Sequence, residues 1–97
     1  MSVRWTPTAL RDLDALHSYI SEDNATAAIT VVETLLKGIA ALTRNPQMGR
    51  TGRVAGSREL VIAPYVIAHR SRKSVIEILG IIHGSRRWPV LFDPPRG

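Results

Sequence analysis

The apolar residues of this chain change their spacing once, at Asn45-Pro46, and that change limits what the chain can fold into. Before it, Leu10, Leu13, Leu16 and Ile20 recur at helical spacing. A second stripe of Ala28, Val32, Leu35, Ile39 and Leu42 follows, widened by Ile29 and Leu36. After it, short β-branched runs lie between turn residues: Glu59–Ile62, Tyr65–His69 and Val75–His83. Thr6-Pro7 reads as a helix start, with Thr as cap and Pro at the first helical position. The polar run Ser21-Glu22-Asp23-Asn24 separates the two helical stripes. Pro46 stops the second, because proline biases the residue before it away from helix and cannot continue the backbone ladder. The short link predicts an antiparallel helical hairpin.

Val3-Arg4-Trp5 reads as a further short strand, Ala63-Pro64 as a turn, and Arg70-Ser71-Arg72-Lys73-Ser74 as a basic turn. The run from Val75 to His83 is apolar at nearly every position, which predicts a central strand covered on much of both faces. Gly49, Gly52 and Gly56 punctuate a basic segment whose spacing suits a mobile loop better than a phosphate cradle. The expected fold is α+β in the order β-α-α-β-β-β. The N-terminal helical hairpin packs on one face of a mostly antiparallel four-stranded sheet, and the other face is left open and partly basic. A chain of 97 residues has room for a single domain, 1–97, with an irregular proline-rich tail from about residue 89.

Charge is placed unevenly between the halves. Residues 1–48 hold four basic and five acidic residues, whereas residues 49–97 hold nine basic and three acidic ones. Eleven of the thirteen basic residues are Arg, the type suited to bidentate contact with phosphate or carboxylate. The second half is therefore either a solvated basic surface or one that meets a polyanion or an acidic partner. The absence of cysteine excludes a disulfide framework, a thiolate metal site and a cysteine nucleophile. No His or acidic pair has metal-ligand spacing, and no phosphate-binding glycine loop or dinucleotide fingerprint occurs, so no metal and no cofactor are expected. No apolar run approaches the roughly 20 residues that span a bilayer, and the N-terminus lacks a signal region. These features predict a cytoplasmic protein without a membrane partner.

Three groups of residues can carry chemistry. His69 and His83 end two neighbouring strands and can form a proton-transfer pair if they open on the same side. Glu59 and Glu77 can act as a base, or can form cross-strand ion pairs with Arg neighbours. Arg58, Arg70, Arg86 and Arg87 can bind phosphate. Such a set suits metal-free RNA cleavage, with a base on the 2′-hydroxyl and Arg on the charged phosphorane. In Arg86-Arg87-Trp88-Pro89 the Trp either stacks on a base or closes one end of the sheet, as Trp5 does at the other terminus.

The order and spacing of several short motifs resemble the RelE/ParE superfamily of toxins from type II toxin–antitoxin modules. These are Trp5 with Ala9 and Asp12-Leu13, Tyr19-Ile20, Leu42…Asn45-Pro46…Gly49-Arg50, Gly52-Arg53-Val54, Gly56-Ser57-Arg58-Glu59-Leu60, Pro64-Tyr65-Val66-Ile67, and Ile82-His83-Gly84-Ser85-Arg86-Arg87-Trp88-Pro89. The resemblance spans Trp5 to Trp88 and implies a helical hairpin on an antiparallel sheet. In the RelE-like branch the toxin cleaves mRNA on the ribosome with Arg and Lys of the sheet and often a C-terminal Tyr. Here Val66 stands where that branch commonly has a strand Arg, and no Tyr follows Tyr65. The Pro64-Tyr65-Val66-Ile67 start and the His83-Gly84-Ser85-Arg86 end look more like the ParE-like branch, which poisons DNA gyrase.

The resemblance thus implies a growth-arresting toxin acting on gyrase. The alternatives are a ribosome-dependent mRNA endonuclease using Glu59, His69, His83 and Arg86, and an inactive toxin-fold partner. It further implies a hetero-oligomer with a cognate antitoxin, whose N-terminal domain binds operator DNA and whose acidic C-terminal segment folds on binding. Target contacts are expected at Arg86, Arg87 and Trp88, and on the loop at Arg50 and Arg53. Antitoxin contacts are expected at Leu16, Ile20, Arg58, Arg70 and Arg72.

Overall fold

A computed structural model of the protein describes residues 1–84. Helix α1 (Pro7–Ser21) begins as its sequence signal predicts. Pro7 opens the helix, and the Thr6 hydroxyl accepts the Ala9 N–H at 3.2 Å. Asn24 caps α2 (Ala25–Leu42) in the same way, accepting the Ala27 N–H at 2.9 Å. Along α2 the stripe of Ala28, Leu35, Ile39 and Leu42 is buried, and Leu13 and Leu16 of α1 pack against the same core. Leu10, Ile29 and Leu36 do not join it and remain 52%, 56% and 43% exposed. A helix lying on a sheet buries one stripe, and the far flank of a two-helix layer has nothing to meet. By length and a mean hydropathy of 1.5, α2 is long and apolar enough to cross a bilayer. In this fold its core stripe is instead spent on the sheet, and its midsection carries Glu33 and Lys37.

The sheet has five strands rather than the four expected. They are β1 (Ser2–Trp5), β2 (Arg50–Thr51), β3 (Arg58–Ile62), β4 (Tyr65–Arg72) and β5 (Val75–His83), in the order β1-β5-β4-β3-β2. β1 runs parallel to β5, and every other neighbouring pair is antiparallel. The additional strand, β2, lies inside the glycine-rich segment expected to be a mobile loop. Arg70–Arg72, expected to be a turn, continue β4 instead. The reversal takes only Lys73 and Ser74, at φ 47° and 68°, the left-handed backbone of a two-residue hairpin turn.

Ile67, Ile76, Ile78 and Ile81 face the helices and meet Ala9, Leu35, Ile39 and Leu42. The opposite face is not open at its centre as expected. Val66, Ala68, Leu79 and Ile82 are buried there in a second apolar cluster, with Val54 packed against them. β1 is shorter than β5 and pairs with it only as far as Ile78. Beyond that point α1 serves the strand edge. The Thr6 N–H and hydroxyl donate to the Ile78 carbonyl at 3.2 and 2.7 Å, and the Asp12 carboxylate accepts the Ile81 N–H at 3.0 Å. Polar groups that a strand edge would otherwise leave unpaired are thereby satisfied.

Candidate functional site

The basic half of the chain organises around two carboxylates, and both are committed to arginine. Glu59 is only 1% exposed. Its Oε1 accepts from Arg50 Nε at 3.0 Å and lies 3.0 Å from an Arg50 terminal nitrogen, while Oε2 accepts the Arg53 backbone N–H at 3.0 Å. Both carboxylate oxygens are thus engaged, and they draw the 49–56 segment onto β3. Gly52 N–H donates to the Ser57 carbonyl at 2.8 Å, and the Ser57 hydroxyl donates to the Val54 carbonyl at 2.7 Å. Gly49 sits at φ 99°, where a Cβ would lie 2.6 Å from the Glu59 carbonyl oxygen. The close approach of the segment to β3 requires glycine at that position. These contacts tie the segment to β3, with Glu59 as their clamp. The ion-pair alternative for this residue is the one observed.

Glu77 behaves similarly on β5. Arg70 Nε donates to it at 2.7 Å, and Arg72 stands 4.0 Å away. Arg4 is its register partner on β1. The Arg70 hydrogen bond, together with the charges of Arg70, Arg72 and Arg4, holds the Glu77 carboxyl below its usual 4.5 against the opposing effect of burial. Arg70 and Arg72 therefore sit beside a carboxylate of their own sheet.

His69 and His83 do not form a pair. β4 runs on past His69 to Arg72, so His69 lies within the antiparallel ladder while His83 lies at its end. His83 is exposed and opposes Tyr65, with ring centroids 5.7 Å apart edge to face. His69 lies four residues along β4 from Tyr65, about 13 Å of strand. It sits where the β4–β5 register shifts, opposite Arg58 on β3 and Ile78 on β5. Its side chain is fully buried, and among the described residues neither ring nitrogen has a partner in hydrogen-bond geometry. Burial pushes its pKa below 6.5, the nearby Met48 backbone opposes this, and the Arg58 charge adds to it. The ring is neutral at pH 7.

Above His69 lies a cleft of about 230 Å³, bounded by Pro46, Gln47, Gly56, Arg58, Arg70 and Ser71. Arg58 and Arg70, named from the sequence as phosphate-binding candidates, and His69 do meet here, whereas Gln47 carried no weight in the sequence. Val66, the position of the missing strand Arg, is 4% exposed within the apolar cluster of the helix-free face. The expected antitoxin contacts divide between two places. Leu16 and Ile20 are half-buried on α1, whereas Arg58, Arg70 and Arg72 lie on β3 and β4. Arg86, Arg87 and Trp88 lie outside the described residues.

The family model of the ParE toxin of the type II toxin–antitoxin system parDE matches residues 3–88. This chain belongs to the ParE toxin family. Within the wider RelE/ParE superfamily, the toxin is 43% identical over 89 residues to the protein Y4kP of Sinorhizobium fredii, covering 90% of this chain and 92% of the relative. It is 35% identical over 85 residues to toxin RelE2 of Caulobacter vibrioides, covering 87% and 96%. Among solved structures it is similar to the chromosomal ParDE toxin–antitoxin system of P. aeruginosa, with a TM-score of 0.75 and 30% identity over 86% of this chain and 95% of that one. The match runs from β1 past the end of β5, so it includes the Glu59 clamp, the His69 cleft and the buried Val66.

Proposed function

We propose that this ParE-family toxin arrests growth by poisoning DNA gyrase when it is free of a cognate antitoxin. The observation that carries the reading is the helix-free face of the sheet. Metal-free RNA cleavage needs a base able to take the 2′-hydroxyl proton and cations on the phosphate. Here the strand position of the RelE-like Arg is Val66, sunk in an apolar cluster with Ala68, Leu79 and Ile82. Glu59 on the same face has both oxygens engaged by Arg50 and the Arg53 N–H. His69 is buried and neutral, and His83 lies about 13 Å along the ladder from it. An inhibitor that works by holding a partner in one state needs none of these groups.

The antitoxin meets the toxin in the cytoplasm, where the gyrase target also resides. Its apolar anchors lie on the hairpin, where Ile29 and Leu36 of α2 and Tyr19 of α1 stand exposed. An acidic segment of the antitoxin complements a chain of net charge +5. Operator DNA is reached through the antitoxin. Arg86, Arg87 and Trp88, with Arg50 and Arg53, remain the proposed target contacts.

Purified gyrase and a translating ribosome extract, each given the antitoxin-free toxin, test the reading together. Loss of supercoiling with trapped DNA breaks, and intact mRNA, is the expected result. Cleavage of translated mRNA with normal gyrase activity would transfer the function to the ribosome. Neither effect would mark a toxin fold that has lost its activity.

A further inference from the structure

We propose that the cleft over His69 is a binding site for a phosphate-type oxyanion, a property of the fold that does not depend on which target the toxin arrests. The charge at its wall comes from Arg58. That side chain makes one long hydrogen bond, 3.3 Å to the Gly49 carbonyl, and pairs with no carboxylate among the described residues. The second arginine of the wall, Arg70, is balanced by Glu77 at 2.7 Å. The cleft therefore keeps one uncompensated positive charge at its mouth.

The floor supplies the second observation. Buried polar atoms almost always have a hydrogen-bond partner, and each one left without costs about 1–3 kcal/mol. Among the described residues neither Nδ1 nor Nε2 of His69 has a partner in hydrogen-bond geometry, in a side chain with no exposed surface, although the Met48 backbone lies near enough to favour the protonated ring. A neutral imidazole offers one N–H donor and one lone pair. A phosphate monoanion carries oxygens that accept from the ring and from the Arg58 guanidinium, and a P–OH that donates to the remaining ring nitrogen. Chloride offers no donor and a carboxylate at neutral pH offers none either. Gln47 is exposed and Arg58 half-buried, and both are long side chains that can swing to admit an anion to the ring. At about 230 Å³ the space is smaller than pockets for drug-sized ligands, so it suits the phosphate group itself rather than a recognised nucleobase.

The test uses the full chain labelled with ¹⁵N, titrated at about pH 6, where a phosphate monoester still carries a P–OH, with inorganic phosphate, with adenosine 5′-monophosphate, and with sodium chloride at matched ionic strength. The His69 ring nitrogens are the readout, because they report the site without any mutation. The proposal expects saturable shifts of both nitrogens with phosphate and with the nucleotide, and none with chloride. Arg58→Gln should weaken binding about tenfold or more, the loss of one charge-assisted contact. Lys37→Gln on α2 should leave it unchanged. Equal affinity for the two ligands assigns the site to a free or terminal phosphate group, and tighter nucleotide binding assigns it to a nucleotide source. Shifts that never saturate, equal shifts with chloride, or undiminished binding in a folded Arg58→Gln chain would overturn the proposal. The His69 nitrogens would then be solvated by buried water alone.

Discussion

Glu59, a candidate base in the sequence, makes structural contacts in the fold. Its buried carboxylate holds the Arg50 guanidinium and the Arg53 N–H, and with them the whole 49–56 segment. Glu59→Ala would leave both donors without their acceptor, so we predict a loss of about 3 kcal/mol, read as a lower urea midpoint at unchanged slope. Lost toxicity with unchanged stability would instead mark the carboxylate as catalytic. His69 makes the second prediction at this scale. Its folded pKa lies below 6.5, so the unfolded chain binds its proton first as pH falls. The stability it contributes is therefore complete above about pH 6.5 and declines below it, by at most about 1.4 kcal/mol per pH unit, until the folded pKa is reached. Glu77, with its pKa held below 4.5, gives up its own contribution only in more acid solution, as pH falls through its folded value. Urea midpoints between pH 7.5 and 5 thus report on His69, and the slope should vanish in His69→Phe. A slope that survives the substitution would place the titrating group elsewhere.

At the level of elements, the β4–β5 hairpin turns on two residues that are poorly suited to their backbone. Lys73 and Ser74 both hold positive φ, a region that costs residues with a Cβ about 1–2 kcal/mol. Replacing the pair by Asn-Gly should raise stability by about 1 kcal/mol in thermal unfolding, and an unchanged midpoint would show that the turn is not strained. This turn was not legible in the sequence, because neither residue advertises left-handed backbone and Arg70–Arg72 look as polar as a turn should. The helices were legible, because Thr6-Pro7, Asn24 and Pro46 punctuate them chemically and one apolar stripe on each meets the core. β2 was hidden for a different reason. Its two residues have no strand pattern of their own, and they pair with β3 because the distant Glu59 draws them in. The histidines were misplaced because β4 runs on past His69 to Arg72, which leaves His69 within the ladder and His83 at its end.

Across the whole molecule the structure separates two surfaces. The hairpin exposes Ile29, Leu36 and Tyr19, while the sheet half carries the arginines, several of them balanced by Glu59 and Glu77. Charge in the sequence pointed to the basic half as a partner-binding part, yet three of its arginines, Arg50, Arg70 and Arg72, lie beside carboxylates of their own sheet. The antitoxin's hold should accordingly depend on the apolar hairpin. Ile29→Asp combined with Leu36→Asp should weaken antitoxin binding by about tenfold or more while leaving thermal stability unchanged, since both side chains already face water. Undiminished binding would move the antitoxin to the sheet. The central claim, that this face of the superfamily fold serves an inhibitor rather than a nuclease, is tested most directly inside the cell. Covalent gyrase–DNA complexes are to be counted after the toxin is induced without its antitoxin. The account predicts that they accumulate as growth stops while translated messages stay whole. Growth arrest with no such complexes and with messages cut on the ribosome would contradict it.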